Sequence, residues 1–310
     1  MHSQKIHNKK LILPVLIFLA GCLALTAVLY HSYRTNLKQV RAVTELNATT
    51  YAERLQNDMN RGVAITDTLE EIVLSENGKI DNFQKVAGNL MTDFVQSIQV
   101  APDGVVTDIY PEGGNEAGKI DLIHDESRGE ICRYGRDKNI VTMQGPFDLK
   151  QGGRGIAIRN PVYLECPDGT SAFWGFTIVI IRVPEVFEKS VQALTQFGYD
   201  YCLTKTVSPL LDDTELVSSS GNILKEPITF EFEFCGSTFG LEVMPNDGWN
   251  HGWDILPQLV LGISIILLLT GLTVIVLVVE RHREIFKKMA ITDPLTGLLN
   301  RKGFDEQLKK

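Results

Sequence analysis

Two apolar runs bracket the chain, and between them the pattern shifts from helical to strand-like spacing. The first run, residues 11–30, is broken only by Pro14 and small residues; the second, 256–279, carries no charge. Each is long enough as a helix to cross a hydrocarbon layer of about 30 Å. Residues 31–75 place Leu37, Val40, Thr44, Leu46, Leu55, Met59 and Leu69 at roughly three- and four-residue steps, which predicts a stalk helix continuing from the first span. A second helix is expected over 81–95, with Asp81 as its cap.

The period then drops to two. "SIQVAPDGVVTDIYP" holds two apolar runs around Pro-Asp-Gly and predicts a hairpin. "GIAIRNPVYLECPDGTSAFWGFTIVIIRV" repeats the device at greater length, and its second strand, apolar on both faces, belongs at the centre of a sheet. A short helix is expected from Pro184 to about Gln196, followed by strands in "DYCLTKTV" and "TFEFEFCGSTFGLEVMP". The predicted class is α+β: a long N-terminal helix, an antiparallel sheet, helices against it and two flanking spans.

Charge adds an orientation. The net charge of −8 hides a segregation: residues 31–254 hold 33 acidic and 19 basic side chains, and the two ends together hold 5 and 11. Asp247 and Asp254 precede the second span, whereas Arg281, Arg283, Lys287 and Lys288 follow it, which puts the C-terminal end in the cytoplasm. Lys5, Lys9 and Lys10 agree for the N-terminus, although Arg34, Lys38 and Arg41 leave the first span ambiguous by itself. Topology explains the basic ends better than nucleic-acid binding does. The expected layout is 1–10 cytoplasmic, 11–30 spanning, 31–254 periplasmic, 256–279 spanning, 280–291 a cytoplasmic helix and 292–310 the start of a further domain. "LAGC" at 19–22 has the form of a lipoprotein cleavage box, but an apolar "LALTAVLY" follows Cys22. An uncleaved span is the reading taken; a cleaved signal peptide or a lipidated Cys22 are the alternatives, and all three leave the middle outside.

Four of the five cysteines, Cys132, Cys166, Cys202 and Cys235, fall in that exported segment. A bridge between Cys202 and Cys235, leaving Cys132 with Cys166, stands beside the alternative of free buried thiols. No metal site is expected, because no Cys-x-x-Cys or close Cys/His pair occurs. There is no Gly-x-Ser-x-Gly, His-Glu-x-x-His or phosphate loop, and His124-Asp125-Glu126 reads as a solvated helix start. "LKQGGRG" at 149–155 lacks the strand-to-helix setting of a phosphate site and reads as a turn or a loop over a pocket. Binding, not catalysis, is the expectation for this segment.

"IQVAPDGVVTDIYPEGGNEAGKIDL", "MQGPFDLKQGGRGIAIRNPVYL", "FWGFTIVII" and "FGYDYCL", taken in that order over about 69–202, resemble the CHASE sensory domain of bacterial cyclases and kinases. The resemblance implies a PAS-like sheet that binds a small ligand beneath covering loops, after a long dimerising helix. The candidate ligand residues it implies are Thr142, Gln144, Phe147, Gln151, Gly153, Arg159 and Trp174. Each has a plainer alternative: Phe147 and Trp174 as core, Arg159 as half of an ion pair.

"TDPLTGLLNRKGF" is similar to the entry segment of GGDEF domains, through Asp293, Leu295, Thr296, Asn300 and Arg301. In that family these residues join a signalling helix to a diguanylate cyclase, which condenses two GTP into cyclic di-GMP with Mg2+. The family's catalytic, metal-binding and guanine-binding groups lie further on, so no catalytic residue and no cofactor is assigned to this chain. Val278, His282, Ile285 and Met289 mark a seam for a paired connecting helix, or the apolar side of a helix lying on the membrane. The expectation is an inner-membrane sensor, a homodimer with a small-molecule partner and no nucleic-acid partner, cut at the start of its GGDEF output. A degenerate GGDEF output, a phosphodiesterase output and a membrane-anchored adhesion module are the rivals.

Overall fold

The computed structural model describes residues 2–112, 118, 120–149, 152–209, 211–250, 254–293, 296–301 and 303–304. They fall into two compact units, Gln39–His251 and a second made of Met1–Lys38 with Gly252–Lys310.

In the larger unit a helix, α1 (His2–Ser75), supplies one layer through its later turns. Ala48, Ala52, Leu55, Met59, Gly62, Thr66, Leu69 and Val73 repeat at steps of three and four and are buried. Large side chains sealed in this way stabilise by roughly 1.5–3 kcal/mol each. Leu46 lies off this stripe and is 68% exposed, so it does not extend the apolar face expected of it. After α1 comes α2 (Phe83–Leu90). Its cap is Asn82 in the left-handed region at φ 56°, not Asp81, whose backbone N–H instead donates to Glu76 Oε2 at 2.7 Å.

Five antiparallel strands form the first sheet: β1 (Val95–Pro102), β2 (Asp108–Tyr110), β3 (Thr142–Asp148), β4 (Arg154–Glu165) and β5 (Ser171–Val183), in the order β2-β1-β5-β4-β3. β5 is central, as its two apolar faces require. One face presents Ile156, Ile158, Val179 and Ile181 to α1. The approach is close: a Cβ added at Gly62 would lie 2.9 Å from Ile158 Cδ1. The opposite face presents Phe176 and Ile178, which pack with Ala101, Ile109, Leu122, Ile123 and α3 (Gly129–Lys138).

After a 3-10 turn and α4 (Glu188–Gln196), four strands build a second sheet. They are β6 (Tyr199–Ser208), β7 (Leu211–Ser219), β8 (Ile228–Phe234) and β9 (Ser237–Pro245), in the order β7-β6-β9-β8. The α+β class holds, but with two antiparallel sheets where the sequence pattern indicated one. Two strands lacked a readable apolar pattern: β7, "LDDTELVSS", in the second sheet, and β3, which contains Gly-Pro, in the first.

All five cysteines are free. The Cys202–Cys235 bridge, one of the two alternatives left open by sequence, fails on register. Cys202 pairs with Glu242 on β9, seven residues along the strand from Cys235, or roughly 20 Å, against a Cα limit of about 7 Å. Cys132 packs beside Phe176 and Ile178, while Cys166 lies at the far end of the β4–β5 hairpin, so that bridge fails as well.

In the smaller unit, α1 and α5 (Ile255–Ile291) each carry a stretch long and apolar enough to span a membrane. Their apolar side chains face outward, with Leu23 77% and Leu268 73% exposed, the reverse of a soluble core helix. The two touch at small residues: a Cβ on Gly262 would fall 2.3 Å from Leu25 Cδ1, and one on Gly21 would fall 2.9 Å from Ile266 Cγ1. At the end of α5, Asp293 Oδ1 accepts from the N–H and hydroxyl of Thr296, and Asn300 Nδ2 donates to the Ala290 carbonyl at 2.9 Å. Arg301 is exposed, and Leu295 lies outside the described residues.

Candidate functional site

Strand alternation puts residues 157, 159, 178 and 180 on the sheet face that turns away from α1. Register makes two rows of them. Gln99, Ile178, Arg159 and Thr142 lie side by side across β1, β5, β4 and β3; Ser97, Ile180, Ala157 and Gln144 form the next row. All but Thr142 floor a cavity of about 550 Å³. Its walls come from Ile120, Leu122, Ser127 and Arg128, and from Phe147, Asp148 and Leu149 at the end of β3. Ala157 is the smallest side chain in either row, and it keeps the space open.

The wall is fixed by Asp125. Its Oδ1 accepts from the Ser127 hydroxyl at 2.7 Å, the Ser127 N–H at 2.9 Å and the Arg128 N–H at 3.0 Å. Chiefly through the Ser127 hydroxyl, these bonds hold the Asp125 carboxyl below its ordinary pKa, so it stays ionised and faces Arg128 at 3.7 Å. Gln144 ties the wall to the floor, its Nε2 donating to the Ser127 carbonyl at 2.8 Å. That bond sets the amide's orientation, and Gln144 Oε1 is left buried with no partner.

Among the described residues of the larger unit, two buried cations are handled differently. Lys205 Nζ sits 2.9 Å from Glu215 Oε1 and donates to the Thr206 carbonyl at 2.7 Å. Arg159 is 3% exposed, and its Nε and Nη1 have neither hydrogen bond nor ion pair. Cys132 adjoins it as a neutral thiol, since burial pushes the thiol pKa up. Burial likewise draws the Arg159 pKa down, yet a guanidinium keeps its proton in proteins. An unpaired buried charge is among the costliest features a fold can carry.

Of the residues singled out from sequence, Gln144, Phe147 and Arg159 converge on this cavity. Thr142 is buried beside Arg159 with its own hydroxyl unpartnered. Gly153 closes the β3–β4 turn, its carbonyl accepting from the Leu149 N–H at 2.9 Å, and does not line the cavity. Gln151 lies outside the described residues. Trp174 is elsewhere: Val162 pairs with Gly175 and Tyr163 with Phe173, so Trp174 is the extra residue of a bulge. Its indole N–H donates to the Gly78 carbonyl at 3.0 Å, just past the end of α1. Sequence reasoning passed over Ser97, Gln99, Ser127, Arg128 and Ala157. In "VQSIQVAP" the polar alternation resembles a solvated strand face, and only the cover from 120–128 makes it a cavity floor. Among the described residues no group of three or more His, Cys, Asp or Glu is placed to hold a metal ion.

A helix packed on one face of an antiparallel sheet, with a roofed cavity on the other, is the arrangement the sequence resemblance implied. The sequence profile of the CHASE domain matches residues 30–213, more than half of the chain. The chain belongs to the CHASE domain family. No curated protein matches it significantly in sequence. Similar solved structures include an extracellular ligand binding receptor from Desulfohalobium retbaense, with TM-score 0.49 and 13% identity, covering 64% of this chain. The chain spans 39% of that receptor's length. The ligand-binding domain of the Pseudomonas aeruginosa amino acid chemoreceptor PctC, in complex with GABA, has TM-score 0.43 and 10% identity over 66% of this chain and 98% of its own. The periplasmic sensory domain of the Campylobacter jejuni chemoreceptor Tlp1 has TM-score 0.42 and 14% identity over 70% and 97%. In this CHASE domain the cavity lies on the sheet face opposite α1, so the sheet alone separates an occupant from the helix.

Proposed function

We propose that the chain is the sensory half of a two-span bacterial receptor. Its CHASE domain takes up a small molecule in the cavity on the periplasmic side, and occupancy alters how α1 is held. Two copies pair through their helices, and the change passes along them to a GGDEF diguanylate cyclase output in the cytoplasm. The observation that carries the reading is the cavity itself: a roofed space of about 550 Å³ whose floor holds unpartnered polar groups. Outward-facing apolar helices support the membrane setting. Arg281, Arg283, Lys287 and Lys288 support a cytoplasmic end for α5. Asp293, Thr296 and Asn300 support the output, since they build a compact turn where the GGDEF resemblance expects the junction.

The test is cyclic di-GMP formation from GTP by the protein of the complete reading frame, in lipid nanodiscs. Production that responds to a periplasmic small-molecule extract, and stops responding in Ala157→Phe, is the expected result. No cyclic di-GMP under any condition would remove the cyclase output and leave the sensor.

A further inference from the structure

We infer that the cavity's ligand is a small organic anion whose charged head docks on Arg159; this rests on the sensory reading above. The fold places Arg159 in the cavity floor, between Ile178 and Thr142, and gives its guanidinium no ion-pair partner. The nearby carboxylate on the wall, Asp125, is committed to Ser127 and Arg128. Asp148 also lines the space but is exposed, and its charge disfavours an anion at that edge. Lys205 shows that this same unit pairs a buried cation when the role is structural. Nε and Nη1 are sealed as the side chain stands, and a carboxylate or phosphate head that draws the guanidinium into the cavity would satisfy donors that the protein leaves unmade.

The surroundings narrow the class further. Gln144 Oε1 is an acceptor with no donor, so the ligand also presents a hydroxyl or an amine near the next row of the floor. Ile178, Ile180, Ile120 and Leu122 surround these anchors with apolar surface, which suits a carbon skeleton rather than a bare inorganic ion. The volume fits one small molecule.

The test uses the full chain in nanodiscs and follows thermal unfolding with acetate, inorganic phosphate, acetamide and chloride at matched ionic strength. Acetate or phosphate is expected to raise the wild-type midpoint saturably by about 2–4 °C. Acetamide and chloride are expected to leave it unchanged. The larger of the two anion shifts identifies the head group as carboxylate or phosphate. Arg159→Gln should abolish the shift and Arg159→Lys should retain part of it. The acetate–acetamide comparison stands on the wild type alone if Arg159→Gln does not fold. Equal shifts with acetate and acetamide, no shift with either anion, or equal anion shifts in wild type and Arg159→Gln would overturn the assignment. A neutral ligand lost in Ala157→Phe but kept in Arg159→Gln would also overturn it, while leaving the sensory reading in place.

Discussion

Asn160, the residue after Arg159 on β4, donates from Nδ2 to Glu70 Oε2 on α1 at 2.7 Å. Asp67 Oδ1 accepts from the same nitrogen at 3.3 Å. Strand alternation thus puts the cavity's cation and a polar contact to the helix on adjacent residues, facing opposite ways. Thr177 on β5 does the same beside Ile178, its hydroxyl donating to the Thr66 carbonyl at 3.0 Å. A shift of β4 under a ligand therefore reaches α1 through a partly buried hydrogen bond as well as through apolar packing.

Asn160→Leu removes the donor and leaves Glu70 facing an apolar group. A loss of about 1.5–3 kcal/mol is expected, the usual size for a hydrogen bond to a charged partner. Chemical denaturation of the full chain reads it. Asn160→Leu with Glu70→Leu should recover most of the loss, and a double-mutant cycle measures the coupling.

Glu70 also gives the fold a pH dependence. Burial, more than the opposing bond from Asn160, raises its pKa, and nearby Asp67 and Glu71 add to the rise. The folded state therefore keeps this proton to higher pH than the unfolded chain. Stability from this group is present at and below the ordinary glutamate pKa and is lost as pH rises through the raised folded value. Glu70→Gln keeps an acceptor for Asn160 and removes the titration. Its unfolding midpoint should exceed that of wild type at neutral pH, and the gap should close as pH falls below about 4.5.

The Lys205–Glu215 pair is a structural counterpart to Arg159. Burial lowers the Lys205 pKa and Glu215 opposes this. Glu215→Gln strands the ammonium and should cost about 3 kcal/mol in denaturant unfolding. Replacing both partners, Lys205→Met with Glu215→Leu, should restore roughly wild-type stability.

Much of this was legible in the residues. The β5 run was apolar on both faces and took the centre of its sheet. Both Pro-Asp-Gly hairpins formed, and the two flanking apolar runs are helices with outward-facing apolar side chains. What escaped did so for physical reasons. β7 and β3 are held by neighbours rather than by their own apolar pattern, so periodicity passed over them. Trp174 was placed by a one-residue bulge, which flips a side chain without leaving a mark in local composition. The cysteine pairing depended on the register of β6 against β9, a relation no spacing encodes. In the site, Arg159 was implied by the CHASE resemblance, whereas Ala157 was not, because its contribution is the volume it leaves empty.

The most direct test of the account is a small-molecule thermal-shift screen on the full chain, run in parallel on wild type and on Ala157→Phe, which fills the cavity floor. The account predicts compounds that raise the wild-type midpoint and lose their effect in the variant. Compounds that stabilise both proteins equally, or a stable protein partner with no small-molecule hit, would contradict it.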